Sequence, residues 1–175
     1  MKTNDYVILV DEQDNEIGVM EKLKAHEQGK LHRAFSVFIF NDKNELLLQQ
    51  RAINKYHSGG LWTNTCCSHP SPNETIKDAA NRRLYEEMGM SCDLKIISNF
   101  IYKTDFENGL IEHELDYILT GISNASPQIN KAEVETYKWL PISEIQKDII
   151  LNPKHYTTWF KIALESGNIP NVSVK

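Results

Sequence analysis

The sequence predicts an α/β fold, and three features of the chain support this. Short apolar runs rich in β-prone residues recur along most of its length, with turn-forming residues between them. One amphipathic helix interrupts these runs near the middle, and two further helical segments follow the last of them. Because 175 residues lie in the usual range of one domain, we expect a single domain that spans residues 1–175.

Four β-prone runs in the first half of the chain are predicted to form strands. They are residues 6–10, 35–40, 45–50 and 61–67. The turn-forming residues 11–15 follow the first run, which indicates an edge strand that leads into a hairpin. The second and third runs are separated by Asn-Asp-Lys-Asn, the strongest hairpin signal in the chain. The polar residues 21–29 favour a turn of helix, and Gly59 and Gly60 break the chain before the fourth run.

The helix in the middle of the chain is the clearest element. Its apolar residues recur at helical spacing: Ile76, Ala80, Leu84 and Met88. The polar segment 71–74 is predicted to cap its N-terminus, and Gly89 is predicted to end it. The same kind of evidence predicts strands at residues 94–102, 110–121 and 137–140, and helices at 141–149 and 155–165.

Composition and charge disfavour several functional classes. With 41% hydrophobic and 25% charged residues, the chain has the composition of neither a disordered tail nor a membrane protein. A net charge of −5 disfavours an extended nucleic-acid surface but is compatible with a local basic pocket. Residues 1–10 include Lys2 and Asp5 and are too charged for a signal peptide. Three cysteines, two of them adjacent, form no disulfide framework, so we expect reduced thiols and a cytoplasmic location.

Histidines and carboxylates suggest a metal site. Three of the six histidines lie in or beside predicted loops: His26, His32 and His69. Taken singly, each is open to the interpretation of a solvated or hydrogen-bonded histidine. Alternation within the strand 110–121 places Glu112 and Glu114 on one face and His113 on the other. Neighbouring carboxylates repel each other unless a metal ion or a proton neutralises one, so a divalent-metal site and a solvent-facing acidic strand are the two interpretations.

The segment around Cys67 offers a second group of candidate residues. Alternation within residues 65–70 turns Cys67 and His69 to one side and Cys66 to the other. A cysteine is usually a small buried hydrophobic residue, and this alternative stays open for Cys67. Its spacing to a candidate metal ligand favours a place beside the metal.

Several charged residues admit both a functional and a structural interpretation. Arg51 and Lys55 lie close to the glycine break, where they are available to bind phosphate. On the central helix, two Arg–Glu pairs spaced four residues apart are equally compatible with surface salt bridges: Arg82 with Glu86, and Arg83 with Glu87.

A longer pattern covers residues 68–90, which read S-x5-E-x7-R-R-L-Y-E-E-M-G-M. It resembles the Nudix box G-x5-E-x7-R-E-U-x-E-E-x-G-U, in which U is a bulky aliphatic residue. Ser68 replaces the first glycine, which is a minor change. Arg83 replaces a glutamate that hydrolysing Nudix enzymes generally use, so the box departs from the hydrolase pattern.

Further motifs are similar to the type 1 isopentenyl-diphosphate isomerases, a family within the Nudix superfamily. They are Leu31-His32, Arg51-x3-Lys55, Trp62-Thr63-Asn64-x2-Cys67-x-His69-Pro70 and Glu112-x-Glu114. The third motif is highly specific, because ordinary Nudix hydrolases have no reason to place a thiol and a metal-ligand histidine there. The resemblance spans residues 22–159. It implies a Nudix-like α/β/α sandwich with a mixed sheet, with the helix of the box on one side and the C-terminal helices on the other.

The same resemblance implies two metal sites and an anion pocket. One divalent ion, Mn²⁺, Zn²⁺ or Mg²⁺, is expected at a set of nitrogen and oxygen donors: His26, His32, His69, Glu112 and Glu114. A Mg²⁺ ion is expected between the substrate diphosphate, Glu87 and the backbone of Cys67. Four cations are expected around the diphosphate: Lys22, Arg51, Lys55 and Arg83.

The implied reaction interconverts isopentenyl and dimethylallyl diphosphate, in isoprenoid biosynthesis, by adding a proton at one carbon and removing one at another. Cys67 and Glu114 are the implied acid/base pair, with the direction of transfer left open. Tyr102 is expected to hydrogen-bond Glu114. Trp159 is expected to stabilise a carbocation with its indole face, although its position alone is equally compatible with an ordinary core aromatic.

Two other functions are also compatible with the sequence. A Nudix hydrolase of a nucleoside diphosphate derivative would share the fold, the magnesium ion and the basic pocket, but Arg83 and the Cys67-x-His69 motif disfavour it. A non-catalytic metal-binding or ligand-binding module is the second. The expected partner is a small isoprenoid diphosphate, with neither nucleic acid nor membrane involved, and both a monomer and a homodimer are compatible with the sequence.

Overall fold

The computed structural model describes residues 6–55, 57–106, 108–167 and 169. The described residues form nine strands: β1 Tyr6–Val10, β2 Glu16–Glu21, β3 His32–Phe40, β4 Glu45–Arg51, β5 Trp62–Thr63, β6 Cys66–Ser68, β7 Lys95–Asp105, β8 Ile111–Ile122 and β9 Val134–Pro141. They also form four α-helices, α1 Lys22–Gln28, α2 Ile76–Met88, α3 Ile142–Leu151 and α4 Thr158–Glu165, and a short 3-10 helix, Pro153–His155. Lys2 and Asp5, used above to argue against a signal peptide, lie outside the described residues.

Strand β3 is the centre of a mixed sheet. It pairs in parallel with β8 along its whole length and antiparallel with β6. Strand β7 extends the sheet beyond β8, and β9 and β5 pair with β4. β3 and β4 are paired at Phe40 and Leu46, beside the predicted turn, and then diverge toward different partners. The predicted hairpin and the predicted mixed sheet are therefore both confirmed.

Helices cover both faces of the sheet, as the sequence predicts. Because side chains alternate along β3, Phe35 and Val37 pack in one core with Leu84 and Met88 of α2. Residues of the opposite face, such as Phe38, pack in a second core that contains Ile145 of α3 and Phe160 of α4. The α/β/α sandwich is thus confirmed. Within the described part of the chain, no helix combines the length and the apolar character needed to cross a bilayer.

Two predictions about the N-terminal segment are confirmed and one is wrong. β1 and β2 form the predicted hairpin, and α1 lies within the polar segment predicted to be helical. However, β1 is not the edge strand, because it pairs with β2 on one side and with β3 through Leu9 and His32 on the other. The edge position belongs to β2, whose side chains are mostly exposed.

The predicted cap of α2 is wrong, because the N-cap is Thr75, the residue that follows the predicted segment 71–74. The helix starts at Ile76, and the hydroxyl of Thr75 accepts a hydrogen bond from the amide of Asp78 at 3.1 Å. Asn73 has a φ of 67°, which ends any helix before it. The carboxylate of Glu74 instead accepts two hydrogen bonds from Arg82, at 2.7 and 2.8 Å, and so fastens the preceding loop to the helix.

The predicted strand 61–67 is divided into β5 and β6. β5 pairs with β4, whereas β6 pairs with β3, so the chain crosses from one strand to the other at Asn64 and Thr65. The buried hydroxyl of Thr65 donates to the carbonyl of Leu47 and accepts from the amide of Ile39, and thereby links β4 and β3. This crossing carries Cys67 and His69 to the side of the sheet where β8 begins.

The later elements lie where they are predicted, with shifted ends. The three strands 94–102, 110–121 and 137–140 correspond to β7, β8 and β9, and the helix 141–149 corresponds to α3. The last helix starts at Thr158 rather than at residue 155, because residues 153–155 form the 3-10 helix and Tyr156 is extended.

Gly89 and Gly109 form a matched pair for testing how α2 ends. Both have left-handed φ angles, 61° and 81°. A Cβ at position 89 would lie 2.5 Å from the carbonyl oxygen of Gln128, whereas at position 109 it would meet nothing within 4 Å. We expect Gly109→Ala to lower the free energy of unfolding by about 1 kcal/mol and Gly89→Ala by about 2–5 kcal/mol, because overpacking adds to the same strain. Equilibrium urea unfolding measures both losses, and equal losses would contradict the role of the Gln128 contact.

Candidate active site

A cleft gathers side chains from α1, α2, α4 and five strands. Its lining residues are Lys22, His26, Phe35, Ser36, Gln49, Arg51, Lys55, His57, Cys67, Ser68, His69, Arg83, Glu87, Tyr102, Glu112, Glu114, Glu133 and Trp159. Every site residue proposed from the sequence lies among them except His32. That residue lies behind His69, with 3.2 Å between the two Nε2 atoms. The fold therefore brings together residues that are up to 137 positions apart in the chain, from Lys22 to Trp159.

Four side chains converge at one end of the cleft: His26, His32, His69 and Glu114. Their potential ligand atoms all lie within 4.8 Å of one another. Oε1 of Glu114 is 3.0 Å from Nε2 of His69, 3.5 Å from that of His32 and 3.9 Å from that of His26. Three of the four residues are buried. Glu112 is not among these four, so its assignment as a fifth ligand stays a prediction.

The hydrogen bonds of the histidines show why this cluster suits a cation. Nδ1 of His26 lies 2.7 Å from the carbonyl of Lys22, and Nδ1 of His32 lies 2.8 Å from the carbonyl of Lys30. A carbonyl accepts but cannot donate, so Nδ1 carries a proton in both rings, and Nε2 is the nitrogen that is left to bind a metal ion. Burial lowers the pKa of His26, and burial also lowers the pKa of His69 to about 4. The rings of His26 and His69 are therefore neutral at pH 7. Imidazole nitrogens and a carboxylate thus converge, which is the donor set of a divalent-metal site.

Tyr102 connects this cluster to the second carboxylate of β8. Its hydroxyl lies 2.7 Å from Oε2 of Glu114 and 3.1 Å from Oε2 of Glu112. Burial and the charge of Glu114 raise the pKa of Glu112 well above its usual value. Burial alone would also raise the pKa of Glu114, but the imidazoles beside it outweigh that effect and hold its pKa well below the usual range. The two buried acids therefore differ strongly in proton affinity, as expected of neighbouring carboxylates.

The two adjacent cysteines face opposite cores, as alternation predicts. Cys66 is buried in the core on the α2 side, and Cys67 packs against the core on the side of α3 and α4. Cys67 pairs with Ser36 of β3 and lines the cleft. Burial raises the pKa of Cys67 well above its ordinary value despite the opposing charge of Arg51. The group is therefore a neutral thiol that lines the same cleft as the His/Glu cluster and the cations.

Four cations also line the cleft: Lys22, Arg51, Lys55 and Arg83. Lys22 lies one turn before His26 on α1, whereas Lys55 and Arg83 meet at Glu133, and the part of the cleft around Arg51, Lys55 and Arg83 is its basic end. The Nε atoms of Arg51 and Arg83 are buried and have no hydrogen-bond partner among the described residues. Since buried polar groups are nearly always hydrogen-bonded, two unpartnered guanidinium donors indicate a site for an anion.

Glu87 connects the guanidinium of Arg83 to the side-chain amide of Gln49. It is buried, and its Oε1 accepts a hydrogen bond from Arg83 at 2.7 Å. Its Oε2 accepts one from the side-chain amide of Gln49 at 2.8 Å. The predicted pairs of Arg83 with Glu87 and of Arg82 with Glu86 are both present. Because a carboxylate can accept about four hydrogen bonds, Glu87 retains capacity for a metal ion.

Trp159 forms an aromatic wall of the cleft. Its side chain is buried, and Cζ of Arg51 lies 5.1 Å from its ring centroid. The ring of His57 meets it edge-on at 5.7 Å. Burial, together with the charge of Arg51, lowers the pKa of His57 to about 3, so this imidazole is neutral at pH 7. Nε1 of Trp159 has no partner among the described residues.

Several cleft residues are absent from the sequence-based proposal: Ser36, Gln49, His57, Ser68 and Glu133. A signal exists for Ser36 and Gln49, because each is a polar residue within a run of buried apolar residues on β3 or β4. Glu133 has no comparable local signal, since it precedes β9 in a polar segment.

Comparison with known proteins agrees with this geometry. Residues 30–160 match the family model of the NUDIX domain. An "Isopentenyl-diphosphate Delta-isomerase" of Pectobacterium atrosepticum is 53% identical over 156 residues, which cover 89% of this chain and 87% of the relative. An "Isopentenyl-diphosphate Delta-isomerase 2" of Aromatoleum aromaticum is 50% identical over 161 residues, 92% of this chain and 85% of the relative.

Solved structures support the fold independently. The crystal structure of a Deinococcus radiodurans protein matches with a TM-score of 0.77 at 16% identity and covers 92% of this chain and 98% of that one. The MutT protein of Methanosarcina mazei matches with a TM-score of 0.64 at 19% identity and covers 78% and 91%. Similarity at these identities establishes the fold alone. Together with the family model and the much more similar relatives, it places the chain in the NUDIX family and, within it, in the family of the isopentenyl-diphosphate Delta-isomerases.

Proposed function

We propose that the chain is an isomerase that interconverts isopentenyl and dimethylallyl diphosphate by protonation and deprotonation, in isoprenoid biosynthesis. The observation that carries this proposal is that one cleft contains the thiol of Cys67, the carboxylate of Glu114 and a basic end. The relatives that are about half identical over most of both chains carry the name of this activity. A proton donor, a proton acceptor and a diphosphate anchor are the parts that the reaction needs.

Arg83 distinguishes this proposal from hydrolysis. A Nudix hydrolase generally uses a glutamate at this position, whereas here the guanidinium of Arg83 donates hydrogen bonds to Glu86 and Glu87. The substitution replaces an acid of the box with a cation that lines the cleft. We therefore assign Arg83 to binding of the diphosphate, together with Lys22, Arg51 and Lys55.

We assign the metal ligands to two groups of residues. His26, His32, His69 and Glu114 would hold one divalent ion, Mn²⁺, Zn²⁺ or Mg²⁺, with Glu112 as a fifth ligand. Glu87 and the backbone of Cys67 would hold Mg²⁺ with the diphosphate. When bound, these ions supply positive charge that offsets the paired carboxylates and the diphosphate.

Cys67 and Glu114 would exchange protons with the substrate from two sides of its double bond. One group adds a proton at one carbon while the other removes a proton from another carbon, and the roles reverse in the opposite direction. Tyr102 would hold Glu114 in place through its hydroxyl, which lies 2.7 Å from the carboxylate. Cys67 needs no nucleophilic role, because an isomerisation displaces no group.

Trp159 would protect and stabilise the cationic intermediate. Protonation of the alkene produces a tertiary carbocation that water would trap, so the cleft must exclude solvent around it. The indole of Trp159 is 4% exposed and already faces one cation, the guanidinium of Arg51. An aromatic face stabilises a nearby cation by about 2 kcal/mol when both are desolvated.

The proposal also covers the cellular location, the partners and the oligomeric state of the enzyme. Cys66, Cys67 and Cys92 are all free thiols in the structure, which suits a reducing cytoplasm. Four cations line the cleft, as a site for a small diphosphate requires. The chain would act on it without nucleic acid or membrane, as a monomer or a homodimer.

An assay of product formation tests the proposed function. With Mg²⁺ added, the purified protein is expected to convert isopentenyl diphosphate into dimethylallyl diphosphate without releasing phosphate, and Cys67→Ala is expected to lower kcat by about 10²–10⁴-fold, the usual contribution of an acid/base group. Separation of the two products by chromatography gives both rates.

Cys92→Ala is the matched control, since Cys92 is a half-buried thiol that does not line the cleft. It should keep the wild-type rate. Release of phosphate from nucleoside diphosphate derivatives, without any isomerisation, would replace the proposal with the hydrolase. Full activity of Cys67→Ala would remove Cys67 from the mechanism.

The metal assignment has its own test, with a readout other than activity. After chelation and reloading with Mn²⁺, His69→Asn and Glu114→Gln are expected to bind the ion at least roughly tenfold more weakly, the loss typical even of a partner outside the coordination sphere. Wild-type protein at about 100 times Kd should gain about 2.7 kcal/mol of stability. Metal content by plasma mass spectrometry and thermal unfolding measure these effects.

His113→Asn is the control, because the side chain of His113 points to the carbonyl of Gly29. Equal losses of metal affinity in all three variants would count against the cluster as the metal site.

Substitution of Trp159 tests the stabilisation of positive charge. Trp159→Leu removes the aromatic face and is expected to lower kcat about 30-fold, the equivalent of about 2 kcal/mol. Trp159→Phe keeps an aromatic face and should retain part of the rate. Because Trp159 packs in the core next to α3 and α4, circular dichroism must first show that both variants fold. Equal rates in the two variants would indicate that packing, and not the π face, is what matters.

A further inference from the structure

Glu133 is a carboxylate at the basic end of the cleft that the proposed mechanism does not use. It immediately precedes β9 and lines the cleft with its half-buried side chain. A carboxylate beside a diphosphate site is unfavourable for anion binding unless it contributes something else. The contacts of the Glu133 carboxylate show what it contributes to the site.

One oxygen of Glu133 joins two of the diphosphate-binding residues. Oε2 accepts a short hydrogen bond from Nζ of Lys55 and lies 3.3 Å from NH2 of Arg83. Lys55 belongs to the turn that follows β4, whereas Arg83 belongs to α2. The carboxylate thus connects cations from two separate elements, and this contact lowers the pKa of Glu133 despite burial.

The backbone holds Glu133 in place independently of these ion pairs. Its amide donates to the carbonyl of Asn130 at 2.9 Å, and its carbonyl accepts from the amide of Ala52 at 3.0 Å. A β-bulge lies at the same point, because the register between β4 and β9 shifts between Gln50 and Arg51. Bulges next to active sites commonly redirect a side chain, and here the bulge lies next to the residue that faces Lys55.

Lys55 has the most to gain from such a contact. Its ammonium lies at the end of a flexible four-carbon chain that carries about 2 kcal/mol of rotamer entropy, and its backbone is in a turn rather than in a strand. Ordering a side chain of this kind only when the ligand binds costs about 0.5–1.5 kcal/mol of affinity. A fixed carboxylate that orders it beforehand removes that cost.

We propose that Glu133 is a positioning residue that holds Lys55 and Arg83 in the orientation that receives the diphosphate. The inference rests on the proposed function, since it assigns Glu133 to the same substrate site. Glu133 acts through the two cations and has no proton-transfer role. Its removal therefore raises KM and leaves kcat nearly unchanged.

A purely electrostatic role would have the opposite sign. Removing a negative charge makes the basic end more positive, which would strengthen diphosphate binding and lower KM. The pair Glu133→Ala and Glu133→Gln separates the two effects, because both variants lose the same charge. The glutamine retains a carbonyl oxygen that can accept from Lys55 and Arg83, and the alanine does not.

The experiment measures kcat and KM for isopentenyl diphosphate with Mg²⁺ in wild-type protein and the variants. Glu133→Ala is expected to raise KM about 3- to 10-fold, in line with the cost of ordering one long side chain, and Glu133→Gln is expected to raise it less. In a Lys55→Ala background, Glu133→Ala should add little, because its main partner is gone. Glu135→Ala is the matched control, since no ion pair of the described residues involves the Glu135 carboxylate, and it should leave KM unchanged.

A binding measurement keeps this test separate from the test of the proposed function. Calorimetric titration with inorganic pyrophosphate and Mg²⁺ should show the same order of affinity, with wild-type protein tightest and Glu133→Ala weakest. This order can be measured even if wild-type protein does not isomerise the substrate, in which case the proposed function fails and the role of Glu133 is still decided. Lower KM and tighter pyrophosphate binding in both Glu133 variants would overturn the proposal, and so would equal increases in Glu133→Ala and Glu133→Gln. If Glu133→Ala does not fold, the comparison of Glu133→Gln with wild-type protein decides the sign.

Discussion

The parallel pairing of β3 with β8 is the constraint on which the rest of the site depends. Nine residues of β3 pair in sequence with β8, from His32 opposite Glu114 to Phe40 opposite Ile122. A shift of one residue would turn the β8 carboxylates to the other face of the sheet. The buried apolar residues of β3 oppose such a shift, because they fill the cores on both sides. On its other edge β3 pairs with β6, which places Cys67 opposite Ser36. One strand therefore sets the position of the thiol and of the acidic cluster together.

The cleft contains polar groups that the rest of the fold does not provide with hydrogen-bond partners or counter-charges. At one end, the imidazoles of three histidines converge on a buried carboxylate. At the other, buried guanidinium donors lack partners among the described residues. A buried polar group without a partner destabilises the protein, so each end is best explained by a ligand of opposite character, a divalent cation and an anion. The thiol of Cys67, which burial keeps neutral, lines the same cleft and adds no charge to it.

The sequence predicts the parts of this site that depend on alternation and on recognisable motifs. Period-two alternation alone is enough to turn Cys67 and His69 together and Cys66 away, and to place the β8 carboxylates on one face. The motifs identify the cations and the helix of the Nudix box. The cap of α2 is predicted wrongly because Glu74 bonds to Arg82 on the helix rather than starting it. Glu133 is missed because its role comes from a bulge and from contacts with residues about 50 and 80 positions away, which no local pattern encodes.

The carboxylates interleaved with the cations are compatible with the proposed diphosphate site in a chain whose net charge is −5. Four unpaired cations in a half-buried cleft would repel one another and would be costly to desolvate. Here Arg83 is held by Glu86, Glu87 and Glu133, and Lys55 by Glu133, so the charges are ordered before any ligand arrives. In the proposed function such a site would favour a diphosphate with its metal ion, whose charge can engage several cations at once, over a weak anion, which would gain too little to compete with the internal carboxylates.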